Sequence, residues 1–132
     1  MQKSQPYDKL SLIYDKLMSH VNYKIWTDYV INLFGYADIK IKTVIDISCG
    51  TGSLLSNFNK NKYSYWGCDL SHPMVAQAQK KIDQNLLMVN DVNYIASKSN
   101  KFDAVLFLYD SLNYMRDEKQ IDCLFKIGRA HV

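Results

Sequence analysis

Two closely spaced glycines, Gly50 and Gly52, follow a short β-branched run in the segment DISCGTGSLL. Glycine lacks a Cβ and adopts positive φ without strain, so backbone amides in such a segment can approach a ligand closely. In a doubly wound α/β sheet, a strand that runs through glycines into a helix ends at the edge where ligands bind. Two glycines alone are also compatible with a tight turn that binds nothing.

Acidic residues follow the next two apolar runs of the chain. Asp69 closes the run YWGCD, where a carboxylate can accept both hydroxyls of a ribose. It could instead supply charge to the following helix, although Ser71 before Pro73 already fits the N-cap of that helix. Asp91 follows the run LLMVN, where it is placed to bind the amino group of an adenine. Glycine or acidic features at three consecutive strand ends predict a nucleotide-like ligand.

Few side chains of the sequence are candidates for a general base. His20 falls at the end of a helical segment and His72 in an SHPM turn, and both positions are typical of surface residues. Asp110 can take a proton from an acceptor molecule, although an acidic residue in such a loop is equally typical of a helix cap. Cys49 and Cys68 are predicted to be small packing groups, not nucleophiles.

The composition is that of one ordinary globular domain. The chain has 132 residues, of which 48% are hydrophobic and 22% charged, with a net charge of +3. This mild charge neither demands nor excludes nucleic acid as a partner. Three cysteines without metal-ligand spacing predict no metal site and a reducing environment. With neither a membrane span nor a signal-peptide core in the sequence, we expect a cytoplasmic protein.

The hydrophobic periodicity predicts the elements that position these residues. Apolar residues recur every three to four positions through the first 35 residues, which predicts a helical cap. Apolar runs and helix-like stretches then alternate, which predicts a parallel sheet covered on both faces. The predicted strands are 43–47, 63–68, 86–89 and 102–108, and the predicted helices are 53–58, 73–82, 92–97 and 117–126.

The ordered motifs VIDISCGTGSLL, YWGCDLSHPMVAQAQ, LMVNDV and FDAVLFLYDSLNYM resemble those of class I S-adenosylmethionine-dependent methyltransferases. The leading YDKLSLIYDKLMSHVNYKIWTDYV resembles the N-terminal helices of a bacterial cytosolic branch of that family. The resemblance covers residues 7–126. It implies a Rossmann-like, doubly wound parallel sheet in the order 3-2-1-4, the first four strands of the seven that the complete fold contains.

The resemblance also implies roles for individual residues. The methionine end of the cofactor would lie on Asp46 and the Gly50/Gly52 loop. Because the positive charge on sulfur favours nearby aromatic faces, Tyr7, Tyr14, Trp26 and Tyr109 are candidates to line a lid, with Tyr14 preferred; aromatic residues at helical spacing are, however, more typical of a packed core. Family members usually carry glycine where Ser48 stands. The resemblance implies that the ribose is bound by Asp69, the adenine by Leu70 and Met74, and the adenine edge by Asp91 and the Val92 amide. The other implied cofactor-binding residues are Tyr14, Asp46, Ser48, Gly50, Gly52 and Tyr109. The implied catalytic residues are Tyr109 and Asp110.

The implied activity is methyl transfer from S-adenosylmethionine to a small molecule or RNA, with S-adenosylhomocysteine as the product. One alternative is a binding module on the same fold without catalytic activity. Another is a nucleotide-dependent oxidoreductase, but Leu55 stands where the pattern G-x-G-x-x-G requires its third glycine. The sequence identifies neither the acceptor nor the oligomeric state.

The chain is predicted to be one partial domain, residues 1–126, with the helical cap at 1–35 and the α/β core at 43–126. Its last six residues read IGRAHV, and one back-translation of them matches a widely used sequencing adapter. We therefore expect natural sequence to end near Lys126. The fourth strand would form an apolar edge, and most of the acceptor-binding half would be missing. The expectation is a chain that binds the cofactor but turns over poorly.

Overall fold

The computed structural model describes residues 9–89 and 102–108, together with residues 118, 119 and 122. Three short 3₁₀ helices accompany the α-helices and strands, at Leu10–Leu12, Leu55–Asn57 and Gln84–Leu86. The α-helices and strands in chain order are α1 (Tyr14–Leu17), α2 (Tyr23–Phe34), β1 (Thr43–Asp46), β2 (Ser64–Asp69), α3 (His72–Ala78), β3 (Leu87–Val89) and β4 (Ala104–Leu106).

The four strands form one parallel sheet in the order β3-β2-β1-β4. The register aligns Asp46 of β1 with Gly67 of β2, and Asp69 of β2 with Val89 of β3. The carboxyl ends of the two central strands therefore adjoin at one edge of the sheet. The predicted α/β fold and the strand order 3-2-1-4 are confirmed.

Both faces of the sheet are buried, which explains why its strands read as continuous apolar runs. Val44 and Ile45 of β1 are completely buried and point to opposite faces. On the Val44 face, Leu55 and Phe58 pack beneath α2. On the Ile45 face, the ring centroids of Trp66 and Phe102 are 5.3 Å apart.

The described part of the predicted N-terminal cap, residues 9–35, contains α1 and α2, and α2 packs against the core. Asn22 caps the start of α2 by accepting a hydrogen bond from the Ile25 amide. The buried Thr27 hydroxyl donates to the Leu54 carbonyl at 3.0 Å. This bond ties α2 to the segment that follows the glycine loop. Within the described ranges, no helix has the length and apolar character that a membrane crossing requires.

Two predicted helices are shorter than the periodicity suggested. The expected helix at 53–58 is only a 3₁₀ turn at Leu55–Asn57. The expected helix at 73–82 ends at Ala78, because the chain turns there and the Lys81 and Ile82 amides both donate to the Ala78 carbonyl. The predicted helix at 92–97, most of that at 117–126 and the tail at 127–132 lie outside the described residues.

Candidate functional site

The loop after β1 contains the two glycines, and both have positive φ, +55° at Gly50 and +77° at Gly52. A Cβ at Gly52 would lie 2.8 Å from Cδ1 of Ile82 and 3.2 Å from Cβ of Ala78, so the loop packs tightly against the end of α3. A Cβ at Gly50 would meet no atom within 4 Å. Gly52 therefore serves packing, whereas Gly50 presents its backbone to open space.

The Asp69 carboxylate joins the end of β2 to this loop. One of its oxygens accepts from the Gly50 amide at 2.9 Å, and the other accepts from the Ser71 amide at 2.9 Å. Ser71 itself caps α3 by accepting from the Met74 amide, as predicted. Burial raises the pKa of Asp69 despite these hydrogen bonds. Each carboxylate oxygen can accept a further hydrogen bond. The two backbone amides therefore hold the Asp69 carboxylate in position and leave it able to bind a ligand.

Asp46 is a second carboxylate at the same edge, and it is only 4% exposed. One of its oxygens accepts from the Ser48 amide at 3.0 Å and is within 3.5 Å of the Ser48 hydroxyl. Burial, with a smaller contribution from the negative charge of Asp69, raises the pKa of Asp46 to about 7. The hydroxyl of Ser48 thus gives this residue a role that the sequence left open, since glycine offers no such donor.

The charge of this edge is negative. Of the ion pairs among described residues, none involves Asp46 or Asp69. The negative charge of Asp69 raises the proton affinity of the buried Asp46, and a cationic group between the two carboxylates would offset this effect. A carboxylate with free acceptor capacity also suits vicinal hydroxyls. The donor and acceptor groups at this edge therefore fit a ligand with a cationic end and a ribose.

A polar network that the sequence did not reveal lies on the other side of the loop. Asp15 of α1 forms an ion pair with Lys81 and accepts hydrogen bonds from the Thr51 and Ser53 hydroxyls. The four residues come from three separate parts of the chain, so no local pattern indicates that they meet. We call Asp15, Thr51, Ser53 and Lys81 the Asp15 network.

Other predicted site residues are placed differently. Tyr14 is partly buried, hydrogen-bonded to Tyr23 and close enough to Asp69 for that charge to act on its pKa, which burial raises. Leu70 is 71% exposed beside Asp69, whereas Met74 is buried at 3%.

The lid candidate Trp26 contacts the Tyr29 ring edge-on along α2, and both rings are partly exposed. The remaining predicted residues, Asp91, Val92, Tyr109 and Asp110 together with the lid candidate Tyr7, lie outside the described residues.

A third glycine that matters lies in β2 and was not singled out by the sequence. A Cβ at Gly67 would lie 3.0 Å from Cδ1 of Leu55 and 3.1 Å from Cβ of Cys49. Leu55 therefore fills the space against the strand that the third glycine of a dinucleotide loop would leave for the helix. The absence of a side chain at Gly67 leaves room for Leu55, and a search for glycines within the loop could not find this residue.

The cysteines behave as predicted. Cys49 and Cys68 are buried free thiols, and burial raises the pKa of Cys49, so it stays protonated at neutral pH. In the described part of the chain, no three His, Cys, Asp or Glu residues are grouped as metal ligands would be.

The chain matches a family model described as a methyltransferase domain over residues 44–131. It therefore belongs to this family, and its identification as a class I S-adenosylmethionine-dependent methyltransferase domain is confirmed.

Similar proteins with known sequences or structures agree. YqeM of Bacillus subtilis (strain 168), which carries the name of a methyltransferase, is 32% identical over 124 residues. That match covers 91% of this chain and 48% of YqeM. An S-adenosylmethionine-dependent methyltransferase of Clostridium acetobutylicum, known from its crystal structure, is 32% identical with a TM-score of 0.66. The match covers 92% of this chain and 51% of that structure, so this chain spans about half the length of these relatives.

A more distant relative is an N,N-dimethyltransferase of Streptomyces venezuelae, named for dTDP-3-amino-3,4,6-trideoxy-alpha-D-glucopyranose. It is 26% identical over 100 residues, which cover 71% of this chain and 42% of that protein. DesVI of Streptomyces venezuelae, at 22% identity and a TM-score of 0.69, shares the fold.

Proposed function

We propose that this chain carries the cofactor-binding half of an enzyme that transfers a methyl group from S-adenosylmethionine. The observation that carries the proposal is the meeting of two carboxylates, the buried Asp46 and the partly buried Asp69, at a loop whose Gly50 faces open space. The methyltransferase family of the chain and the 32% identity to a structure named as S-adenosylmethionine-dependent support it.

The residues of this edge fit the parts of that cofactor. Its cationic methionine end suits the Asp46 carboxylate and the open Gly50 backbone, with Ser48 orienting the carboxylate through its amide. Its ribose hydroxyls suit the fixed oxygens of Asp69. Its adenine suits the exposed Leu70 side chain. Further contacts are proposed for Tyr14, Gly52, Met74, Asp91, Val92 and Tyr109.

When bound, S-adenosylmethionine supplies a methyl group already activated by a positively charged sulfur. The protein then needs chiefly to align the acceptor and exclude water. Asp69, together with Asp46 once that group loses its proton near pH 7, supplies negative charge at this edge, which favours binding of the cationic donor over the neutral product. Tyr109 and Asp110, which follow β4, are proposed to face the acceptor, with Asp110 accepting its proton.

For the acceptor, we propose a small molecule in preference to RNA. The support is that two relatives are named as N,N-dimethyltransferases of dTDP-amino sugars. The test incubates the full-length protein with S-adenosylmethionine that carries a radioactive methyl group, together with either a pool of small metabolites or total RNA. We expect label in the small metabolites and none in the RNA. Label in the RNA alone would exclude this acceptor class. We further propose a cytoplasmic location, since Cys49 and Cys68 are free thiols.

Cofactor binding is tested by thermal unfolding of the 132-residue chain with S-adenosylhomocysteine or NADH. A ligand at about 100 times its Kd adds about 2.7 kcal/mol to stability, which raises the Tm by roughly 10 °C for a chain of this size. We expect S-adenosylhomocysteine to raise the Tm and NADH to leave it unchanged.

The chain offers a matched pair of substitutions for this test. The Asp103 carboxylate accepts from the Lys42 and Thr43 amides at 2.9 and 3.0 Å, at the opposite end of β1 from Asp69. Asp69→Asn should abolish most of the shift caused by S-adenosylhomocysteine, and Asp103→Asn should preserve it. The proposal is refuted if the unsubstituted chain shows no shift, or if both variants lose it equally.

A further inference from the structure

The Asp15 network brings the helical cap and the glycine loop into direct contact. One Asp15 oxygen accepts from the Thr51 hydroxyl at 2.5 Å and from the Ser53 hydroxyl at 3.4 Å. The other forms the ion pair with Lys81. Burial acts to raise the pKa of Asp15, but hydrogen bonds from Lys81, Thr51 and Ser53 together lower it. The network therefore holds Asp15 in its charged form.

Thr51 is the residue that this network holds most completely. It lies between the two positive-φ glycines and is only 2% exposed. Its hydroxyl donates to Asp15, while its carbonyl accepts from Lys81 Nζ at 3.1 Å. Lys81 also donates to the Ser53 hydroxyl at 3.1 Å. The ion pair thus holds residue 51 from both sides, and with it the loop that carries Gly50.

Tyr14 is the neighbour of this ion pair in the chain. This residue precedes Asp15 in α1, a helix of only four residues whose own backbone bonds cannot hold it in place. The Tyr14 ring is hydrogen-bonded to Tyr23 and lies within reach of the Asp69 charge. Detaching Asp15 from the loop would therefore release contacts that hold both Tyr14 and Thr51.

We propose that Asp15 and Lys81 are positioning residues that fasten the helical cap onto the cofactor loop and thereby slow cofactor release. The inference rests on the proposed function and deepens it, because it assigns the control of cofactor residence to contacts outside the two carboxylates. Neither residue needs to contact the cofactor. Their effect is exerted through Thr51 and Tyr14.

A direct effect of charge on the cofactor is separable from this fastening. S-adenosylmethionine carries a positive sulfur that S-adenosylhomocysteine lacks, so a charge effect would change the affinity for the first compound selectively. A charge effect would also make Lys81→Gln bind S-adenosylmethionine more tightly, because a repelling cation is removed. Fastening predicts that Asp15→Asn and Lys81→Gln both weaken binding of both compounds.

The test measures Kd and the dissociation rate of both compounds on the full 132-residue chain, well below its thermal transition. We expect each single variant to weaken binding of both compounds by about tenfold, mainly through faster dissociation. The double variant should lose less affinity than the sum of the two single losses, because both variants remove the same ion pair. A purely structural role would lower the Tm of the ligand-free protein and leave the dissociation rate unchanged.

Asp28→Asn is the matched control, because it removes the same charge from the same cap. Asp28 pairs with Lys24 at 3.1 Å on the exposed side of α2. This variant should bind both compounds within about twofold of the unsubstituted chain, as expected for an exposed ion pair. If Asp15→Asn dissociates no faster than Asp28→Asn, the inference is overturned and the proposed function stands. If the unsubstituted chain binds neither compound, both are overturned.

Discussion

Substitution of the two loop glycines by alanine should affect stability and cofactor binding differently: Gly52→Ala should lower stability more, and Gly50→Ala should weaken binding more. Gly50→Ala and Gly52→Ala introduce the same methyl group two residues apart, at similar positive φ. A non-glycine residue in this conformation costs roughly 1–2 kcal/mol, of which about 0.4–1 kcal/mol is offset by the stiffer unfolded chain. This backbone cost is common to both variants.

The packing cost distinguishes them. The methyl group of Gly52→Ala would lie 2.8 Å from Cδ1 of Ile82, so the end of α3 must shift, at a cost of about 1–3 kcal/mol. That of Gly50→Ala meets nothing within 4 Å. We expect a loss of about 1 kcal/mol for Gly50→Ala and about 3 kcal/mol for Gly52→Ala, which correspond to falls in Tm of roughly 4 and 12 °C.

Binding should show the reverse. The open space at Gly50 is where the account places the cofactor, so Gly50→Ala should weaken S-adenosylhomocysteine at least about tenfold while the fold is nearly intact. Urea unfolding gives the stabilities, and calorimetric titration gives the affinities. The reasoning is refuted if Gly50→Ala binds as the unsubstituted chain does, or if it is the more destabilised of the two.

Four further predictions concern buried groups. The folded chain keeps a proton on Asp46 up to about pH 7, whereas the unfolded chain loses it near pH 3.8. The free energy of unfolding, measured by urea titration, should therefore fall as pH rises between these values and then level off. Asp46→Asn should make this dependence on pH flatter. Binding of S-adenosylmethionine, which favours the charged carboxylate, should strengthen as pH rises toward about 7. Tyr65→Phe should raise stability by about 1 kcal/mol in urea unfolding, because the Tyr65 hydroxyl is buried without a hydrogen-bond partner in the described structure. In a Cys123→Ser variant, Cys49 and Cys68 should react with a thiol reagent only after unfolding, since both are buried; reaction of the native variant would contradict their burial.

The features that could be predicted from sequence are those with a local pattern. Each strand is a run of apolar residues because both faces are buried, and the order of glycine and acidic residues at the strand ends matches one family. The start of α3 was predictable because Ser71 and Pro73 form a standard helix start. Its end was not, since the turn after Ala78 depends on how Ile82 packs against Gly52, which lies far away in sequence.

The contacts that were missed join residues distant in the chain. Asp15 and Lys81 are 66 positions apart, and an acidic residue in the repeated YDKL sequence of the cap is typical of a solvated helix. Gly67 was missed for a similar reason, because its lack of a side chain matters only when Leu55 packs against it. The bond between Asp46 and Ser48 is local, but its significance depends on burial, which brings the pKa of Asp46 to about 7.

The most direct measurement is a map of where S-adenosylhomocysteine binds, from ¹H–¹⁵N correlation spectra of the labelled chain during titration. The account predicts that the largest shifts occur at the amides of residues 48–52 and 69–71, at the carboxyl ends of β1 and β2. The amides of residues 40–43 and 60–64, at the amino ends of the same strands, serve as the internal control and should be unchanged. Shifts centred on those amino ends, or none at saturating ligand, would contradict the account.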